Sequence, residues 1–289
     1  MVGVFSLSTG ALFDLAINRY AGKGTGEHSL LRQLMYAFEE DDIVLGDAYY
    51  GSFFLFATLI AKGVDGVFPK MSGHKIDFRS GKRLGKKDHL VQWVKPKKPE
   101  WMDSETYKNF PDTITVREVS ITSERSGFRS KTRIIVTTLT NAVEVTKNDL
   151  GELYGYRWFV ELDLRSVKSV MHMDVLRCKT PEMVRKEIWA HILAYNLVRK
   201  VMVQAAIIHK CIPREMSFKF ALQMIGAFRA VRVLSEHNGT VYDCFLRRLV
   251  YKKTRKQLGR SDPRVIKRRP KAFPLMQKAR HLYVVQQCA

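Results

Sequence analysis

Long apolar runs are missing from this 289-residue chain; the longest candidate, Phe53 to Ile60, is far shorter than the roughly 20 residues a membrane-crossing helix needs. The first residues carry neither a basic leader nor a small-residue cleavage site. The expectation is therefore a soluble, cytoplasmic protein with no membrane partner. Cysteine is sparse: Cys178, Cys211, Cys244 and Cys288 lie far apart and form no C-x-x-C pair, which argues against a disulfide framework and a thiolate zinc site. The eight histidines include no H-E-x-x-H, so His172 and His191 are assigned to packing or surface rather than to a metal.

Acidic residues are also in short supply. Asp and Glu total 28 against 49 Lys and Arg, a net charge of +21. The excess is concentrated in two places: the run "RSGKRLGKK", Arg79 to Lys87, and the stretch from Arg247 to Arg280, whose single acid is Asp262. Such density attracts a polyanion, most simply the phosphates of nucleic acid. A solvated basic surface accounts for either patch alone; two patches with this net charge favour nucleic acid.

The pattern of apolar residues gives an α/β chain. "VGVFSLSTGALFDLAI" reads as two strands joined by a tight turn at Thr9-Gly10. Helical spacing follows over Glu27 to Phe38, then a short buried strand Ile43 to Leu45, a helix over 52–62 and a strand over Val64 to Phe68. From Met71 to about Lys131, basic, Pro- and Gly-containing stretches separate pieces of period-two pattern, as in a β-rich insertion. "RIIVTTL" restores a buried strand. Thr146 and Asp149 form a capping box for a helix predicted to reach about Met171, and Pro181 opens another to about His209. A further helix is predicted over Arg214 to Val233, and after Ser261 the composition is that of a basic arm.

Two short stretches carry chemistry. In "DDIVLGDAYYGS" an apolar strand ends in Gly46-Asp47, a carboxylate at the carboxyl end of a strand, where open α/β sheets gather functional groups. In "LYGYRWFVELDLRSVK", Tyr154, Arg157, Glu161 and Lys168 fall at offsets of 0, 3, 7 and 14. On one continuous helix those offsets lie within an arc of about 60°, so a carboxylate, two cations and a phenol share a face while Phe159, Leu162 and Val170 pack on a sheet. Spacing alone is equally compatible with ordinary surface ion pairs of Glu161 with Arg157 and Arg165.

Tyr-x(2)-Arg-x(3)-Glu-x(6)-Lys, met here without a gap, resembles the YREK signature of the insertion-sequence-4 family of bacterial DDE transposases. "GVFSLSTGALFDLAI", "GEHSLLRQL", "VLGDAYYGS", "LYGYRWFVE", "AYNLVRKVM" and "PRVIKRRPKAFPL" resemble that family's blocks in their order. The resemblance implies an RNase H-like mixed sheet with flanking helices, interrupted by a β-rich insertion and followed by C-terminal helices and a basic tail. It implies a core in two parts, 1–70 and 133–210, an insertion over 71–132, and a C-terminal region over 211–289. It further implies cut-and-paste DNA transposition, with Asp47 and Glu161 as catalytic and metal-binding carboxylates and Tyr154, Arg157 and Lys168 as ligands of DNA phosphates. The cofactor implied is a pair of Mg2+ or Mn2+ ions; carboxylate oxygens suit such ions, which assist in-line displacement at phosphorus. Trp158 is expected to pack in the core, with stacking on an extruded base as the alternative. The partners implied are double-stranded DNA, both transposon ends and target, and a second copy in a homodimer on DNA, in a bacterial cytoplasm at the nucleoid.

One element of the family pattern is not found. The family's first Asp lies on a strand preceding the opening hairpin, and no such strand is legible. Asp14 sits in the hairpin among apolar neighbours, and Asp41 and Asp42 stand at the wrong end of their strand. The expectation is an N-terminally truncated transposase with little strand-transfer activity alone. The alternative is a catalytically silent DNA-binding fragment that regulates or competes with the full-length enzyme. A structural RNA-binding protein would explain the charge but not the YREK helix or Asp47.

Overall fold

The computed structural model describes residues 1–19, 22, 24–123, 131–234 and 238–253. Most of the expected basic tail lies outside the described residues. The strands are β1 (Val2–Phe5), β2 (Leu12–Ala16), β3 (Ile43–Leu45), β4 (Asp65–Pro69), β5 (Lys82–Gly85), β6 (Asp88–Val94), β7 (Thr113–Ser123) and β8 (Lys131–Thr137). The helices are α1 (Glu27–Gln33), α2 (Phe53–Ala61), α3 (Ser104–Asn109), α4 (Lys147–Gly155), α5 (Trp158–Arg165), α6 (Pro181–Ile208), α7 (Phe218–Leu234) and α8 (Asn238–Tyr251). No helix among the described residues is long and apolar enough to cross a membrane.

Six strands form one mixed sheet in the order β3-β4-β8-β7-β6-β5, and β1 and β2 pair only with each other. β3 and β4 are parallel, with Ile43 opposite Asp65; every other neighbour is antiparallel. The strands read from the insertion region thus extend the same sheet beyond β8. Both faces of this sheet are covered. On one, α2 buries Phe53, Phe56 and Leu59 against Phe68, Ile114, Val116 and Val136. On the other, Leu150 and Tyr154 of α4 meet Val67, Val119 and Ile135.

Local chemistry explains most of these elements. Ser52 caps α2 by accepting the Leu55 N–H, and the run "FFLFATLIA" that follows is apolar on almost every side because it is buried on almost every side. Thr146 and Asp149 complete the capping box of α4. Thr180 caps α6, and Pro181 fills a first-turn position where no N–H is needed.

Polar groups buried in the sheet are paired. Arg117 and Glu118 are adjacent on β7 and therefore point to opposite faces. Arg117 donates to both Asp88 carboxylate oxygens at 2.8 and 2.6 Å and to the Val145 carbonyl. Glu118 faces the His89 and His74 rings, each at 2.9 Å, and accepts from the Trp93 indole at 2.8 Å.

The β1–β2 hairpin is attached through a different network. Asp163 of α5 is fully buried and binds Arg199 of α6 and Arg214, which lies in the short turn before α7. Arg214 donates onward to the Ser6 and Leu7 carbonyls, and Tyr195 donates to the Gly10 carbonyl at 2.6 Å. Asn196 pairs with both the N–H and the carbonyl of Leu12. Gly10 is required here: its φ is +80°, and a Cβ would lie 2.7 Å from the Arg199 guanidinium carbon.

The long helix expected from Thr146 to Met171 is broken. α4 stops at Gly155, Tyr156 and Arg157 form a turn held by i to i−3 bonds, and α5 restarts at Trp158. Ser166–Val170 then widens into a π-helical turn closed by the Met171 N–H on the Ser166 carbonyl. The flank of α5 consequently does not pack on the main sheet. The Phe159 ring lies under the Arg214 guanidinium at 5.2 Å, and Val170 joins the core of α6, α7 and α8.

The Asp163 network sets a stability expectation. Asp163→Ala strands two buried guanidiniums and should cost about 3–5 kcal/mol in urea unfolding. A loss below about 1 kcal/mol would show that the hairpin is held by apolar packing instead.

Candidate active site at the end of β3

β3 can end where it does because residue 46 has no side chain. A Cβ on Gly46 would stand 2.8 Å from the Phe68 ring, so only glycine lets β3 and β4 approach here. Asp47 follows, exposed, at the strand's carboxyl end. Its Oδ1 accepts the Tyr49 N–H at 2.8 Å and its carbonyl accepts the Tyr50 N–H, so the chain turns immediately.

Two residues at the start of α1 hold this turn from one side. His28 Nε2 lies 2.8 Å from the Tyr49 carbonyl, and its ring packs 4.5 Å from that of Tyr49 and 5.5 Å from that of Tyr50. A carbonyl only accepts, so Nε2 carries a hydrogen. Burial holds the His28 pKa below its usual value, leaving the imidazole neutral at neutral pH. The Tyr50 hydroxyl donates to Glu27 at 3.3 Å. Neither Glu27 nor His28 is picked out by charge pattern or periodicity; the one signal is their place in the "GEHSLLRQL" block.

On the other side of Asp47 stands the α4–α5 junction. Tyr154 is buried in the same apolar cluster that Leu45 borders. Burial raises its pKa first of all; Arg157 and Arg133 oppose that shift and the Asp47 carboxylate adds to it. Asp47 is thus near enough to act electrostatically on the Tyr154 hydroxyl. The Arg157 guanidinium carbon lies 5.9 Å from the centre of the Tyr154 ring, and its Nη1 donates to Glu161 Oε1 at 3.3 Å. Tyr154, Arg157 and Glu161 therefore follow one another as neighbours, and Leu45, two residues before Asp47, borders the cluster that holds Tyr154. The Arg157–Glu161 contact is also the i,i+4 pair that an ordinary surface helix would show, worth a few tenths of a kcal/mol. What such a helix would not supply is the strand-end carboxylate beside it.

Lys168 is exposed on the π-helical turn, and no described hydrogen bond or ion pair ties its ammonium to the other four residues. Trp158 is 61 % exposed, correcting the expectation of a core-packing role; the restart of the helix at this residue turns it to solvent. Asp14 accepts from the Tyr36 hydroxyl, and the Asp42 carboxylate accepts the Glu39 N–H ahead of β3. Both are engaged away from the carboxyl end of that strand.

Asp47 and Glu161 offer the oxygen donors that magnesium takes. Yet among the described residues no group of three or more His, Cys, Asp or Glu side chains is gathered closely enough to hold an ion. These two carboxylates do not by themselves complete a two-ion site.

A six-stranded mixed sheet flanked by helices is the arrangement of an RNase H-like α/β protein. The chain belongs to the family described as "Transposase DDE domain", whose model matches residues 1–197. It is similar to the transposase InsG of insertion sequence element IS4 from Escherichia coli, 30% identical over 263 residues, which are 87% of this chain and 56% of that protein. It thus spans little more than half the length of that relative. The transposase of insertion sequence element IS421 and the putative transposase InsL of IS186A, both from Escherichia coli, are each 34% identical over 59 residues, 20% of this chain and 16% of theirs.

The tyrosines around Asp47 give a pH expectation. Burial, reinforced by Glu27, pushes the Tyr50 hydroxyl well above its ordinary range, and burial raises Tyr154 likewise. Unfolded tyrosines ionise near pH ~10. The stability tied to keeping these phenols neutral is complete below that pH and is lost as pH rises toward the folded-state values. Denaturant unfolding at pH 8 and pH 11 should show a smaller loss for Tyr50→Phe than for the parent; equal losses would mean that Tyr50 ionises freely in the folded protein.

Proposed function

We propose that this chain is the polypeptide of a bacterial insertion-sequence transposase, acting on double-stranded DNA at transposon ends and target. In this reading Asp47 and Glu161 are two of the carboxylates of a DDE site, and residues 1–70 and 133–210 form its core around the 71–132 insertion, with 211–289 following. The observation that carries the reading is the placement of Asp47, at the end of β3, beside the Tyr154–Arg157–Glu161 succession. Arg157 and Lys168 suit phosphate oxygens next to the scissile bond, Arg157 as a planar fork and Lys168 as a point charge. The Tyr154 hydroxyl, on the ring beside the Arg157 guanidinium, offers a donor to the DNA backbone.

Mg2+ or Mn2+ ions at a complete site would activate the attacking oxygen and stabilise the leaving one. The two carboxylates gathered here fall short of that site, so no chemical step through metal is assigned to this chain alone. That shortfall favours a second reading, a catalytically silent DNA-binding fragment that competes with or regulates complete transposase. Pairing of two copies on DNA in the bacterial cytoplasm fits both readings.

Purified chain on duplexes carrying the element's own ends should bind with log K falling steeply against log salt, and should nick little or not at all with Mg2+ or Mn2+. Robust cleavage abolished by Asp47→Ala would instead show a complete catalyst. Failure to bind DNA would sink both readings.

A further inference from the structure

The most informative feature outside the expected site residues is a cation. Arg133, near the start of β8, holds its guanidinium carbon 5.8 Å from the centre of the Tyr154 ring, and Arg157 lies 5.9 Å from the same ring. The backbone dictates this: Arg133 lies opposite Ile121 of β7 and two residues before Ile135, and both of those side chains pack in the cluster that holds Tyr154. The three side chains occupy the rim on which Asp47 acts.

The two arginines differ in how their donors are used. Arg157 is paired with Glu161. Arg133 is exposed, and among the described residues its guanidinium has no hydrogen-bond or ion-pair partner. A guanidinium carries five N–H donors in a rigid fork, and the fork matches two oxygens of a phosphate. Attraction to the ring face holds the charge in place and leaves the fork free, since a π face engages the cation without consuming its N–H bonds at the edge.

From this geometry we infer that Arg133 is a phosphate-binding residue of the same site, gripping a DNA backbone phosphate jointly with Arg157 across the Tyr154 ring. The inference rests on the reading of the chain as a DNA-acting protein and adds a strand-borne ligand to the helix-borne ones. A clamp with one jaw on β8 and the other at the α4–α5 junction fixes the phosphate relative to the sheet that carries Asp47. A cation on the helix alone would follow every movement of the break at Tyr156–Arg157.

The test is equilibrium binding of a fluorescent 30-base-pair duplex to the full chain in EDTA, so that no cleavage is needed, across a series of salt concentrations. Arg133→Ala should weaken binding about ten-fold, as loss of a charge-assisted hydrogen bond of about 1.5 kcal/mol or more predicts. It should also lower the salt slope by about one. Arg133→Lys should keep the slope and recover part of the affinity, because it retains the charge but not the fork. In the Arg157→Ala background the further loss from Arg133→Ala should shrink, since two jaws on one phosphate are not independent. Additive losses would reduce Arg133 to generic surface charge and overturn the inference, as would an unchanged slope accompanied only by a lower melting temperature. If the parent chain itself fails to bind the duplex, the DNA-acting reading fails first.

Discussion

The contact on which this architecture turns is the buried carboxylate of Asp163 between Arg199 and Arg214. The β1–β2 hairpin makes no strand pairing with the six-stranded sheet, so apolar packing of its strands and side chains reaching its loop hold it in place. Arg214 reaches Ser6 and Leu7, Tyr195 reaches Gly10, and both are aligned through Asp163, directly or by way of Arg199. A single carboxylate shared by two guanidiniums leaves a net positive charge in the interior, tolerable only because the remaining donors find backbone carbonyls. The cost of that desolvation is offset by specificity of position: a purely apolar contact would let the hairpin slide, whereas carbonyls met by fixed guanidinium forks do not. Asp163 lies two residues beyond Glu161 on α5, so the interaction that seats the hairpin also anchors the helix bearing the acidic candidate.

The interruptions on either side of that anchor determine what the site looks like. With the helix broken at Tyr156–Arg157, Tyr154 stays buried against β4, β7 and β8 while Glu161 belongs to a segment packed on the hairpin side. Arg157, at the break, touches both segments. The π-helical turn then separates Lys168 from the face that a continuous helix would have given it. Acid and base are therefore held by two bodies, the sheet with α4 and the helical layer with α5, and Arg157 and Arg133 stand where the bodies meet.

Much of the fold was legible in the residues. The hairpin around Gly10, the short strand before Asp47, the capped apolar helix after Ser52 and the Pro181 helix all follow from period, caps and turn chemistry, and all are present. The capping box at Thr146 was legible too, but the end of its helix was not, since neither proline nor a polar run marks the break after Gly155. α8 was not legible, since its buried Phe245, Leu246 and Leu249 stand among the basic residues Arg247 and Arg248, which mask their helical spacing. Asp47 was visible as a carboxylate at a strand's exit. Glu27, His28 and Arg133 were not, because their meaning lies in contacts across 21 or more residues of chain that spacing does not encode. The exposure of Trp158 follows from the restart of the helix at that residue, which nothing in the residue pattern marks.

The charge pattern at the site separates two tasks that a DNA-acting enzyme must perform. Holding phosphate requires cations oriented before the polyanion arrives, and the Tyr154 ring, buried with Leu150 and Ile135, has two arginines from different elements at 5.8 and 5.9 Å from its centre. Displacement at phosphorus requires several carboxylates converging on metal, and among the described residues that convergence is not reached. Preorganised cations keep their value without the acids, since attraction to phosphate depends on charge and release of counterions, whereas two carboxylates lacking a third lose most of theirs. The two demands are therefore separable: cations set beside one ring can hold phosphate whether or not an acidic cluster is complete next to them.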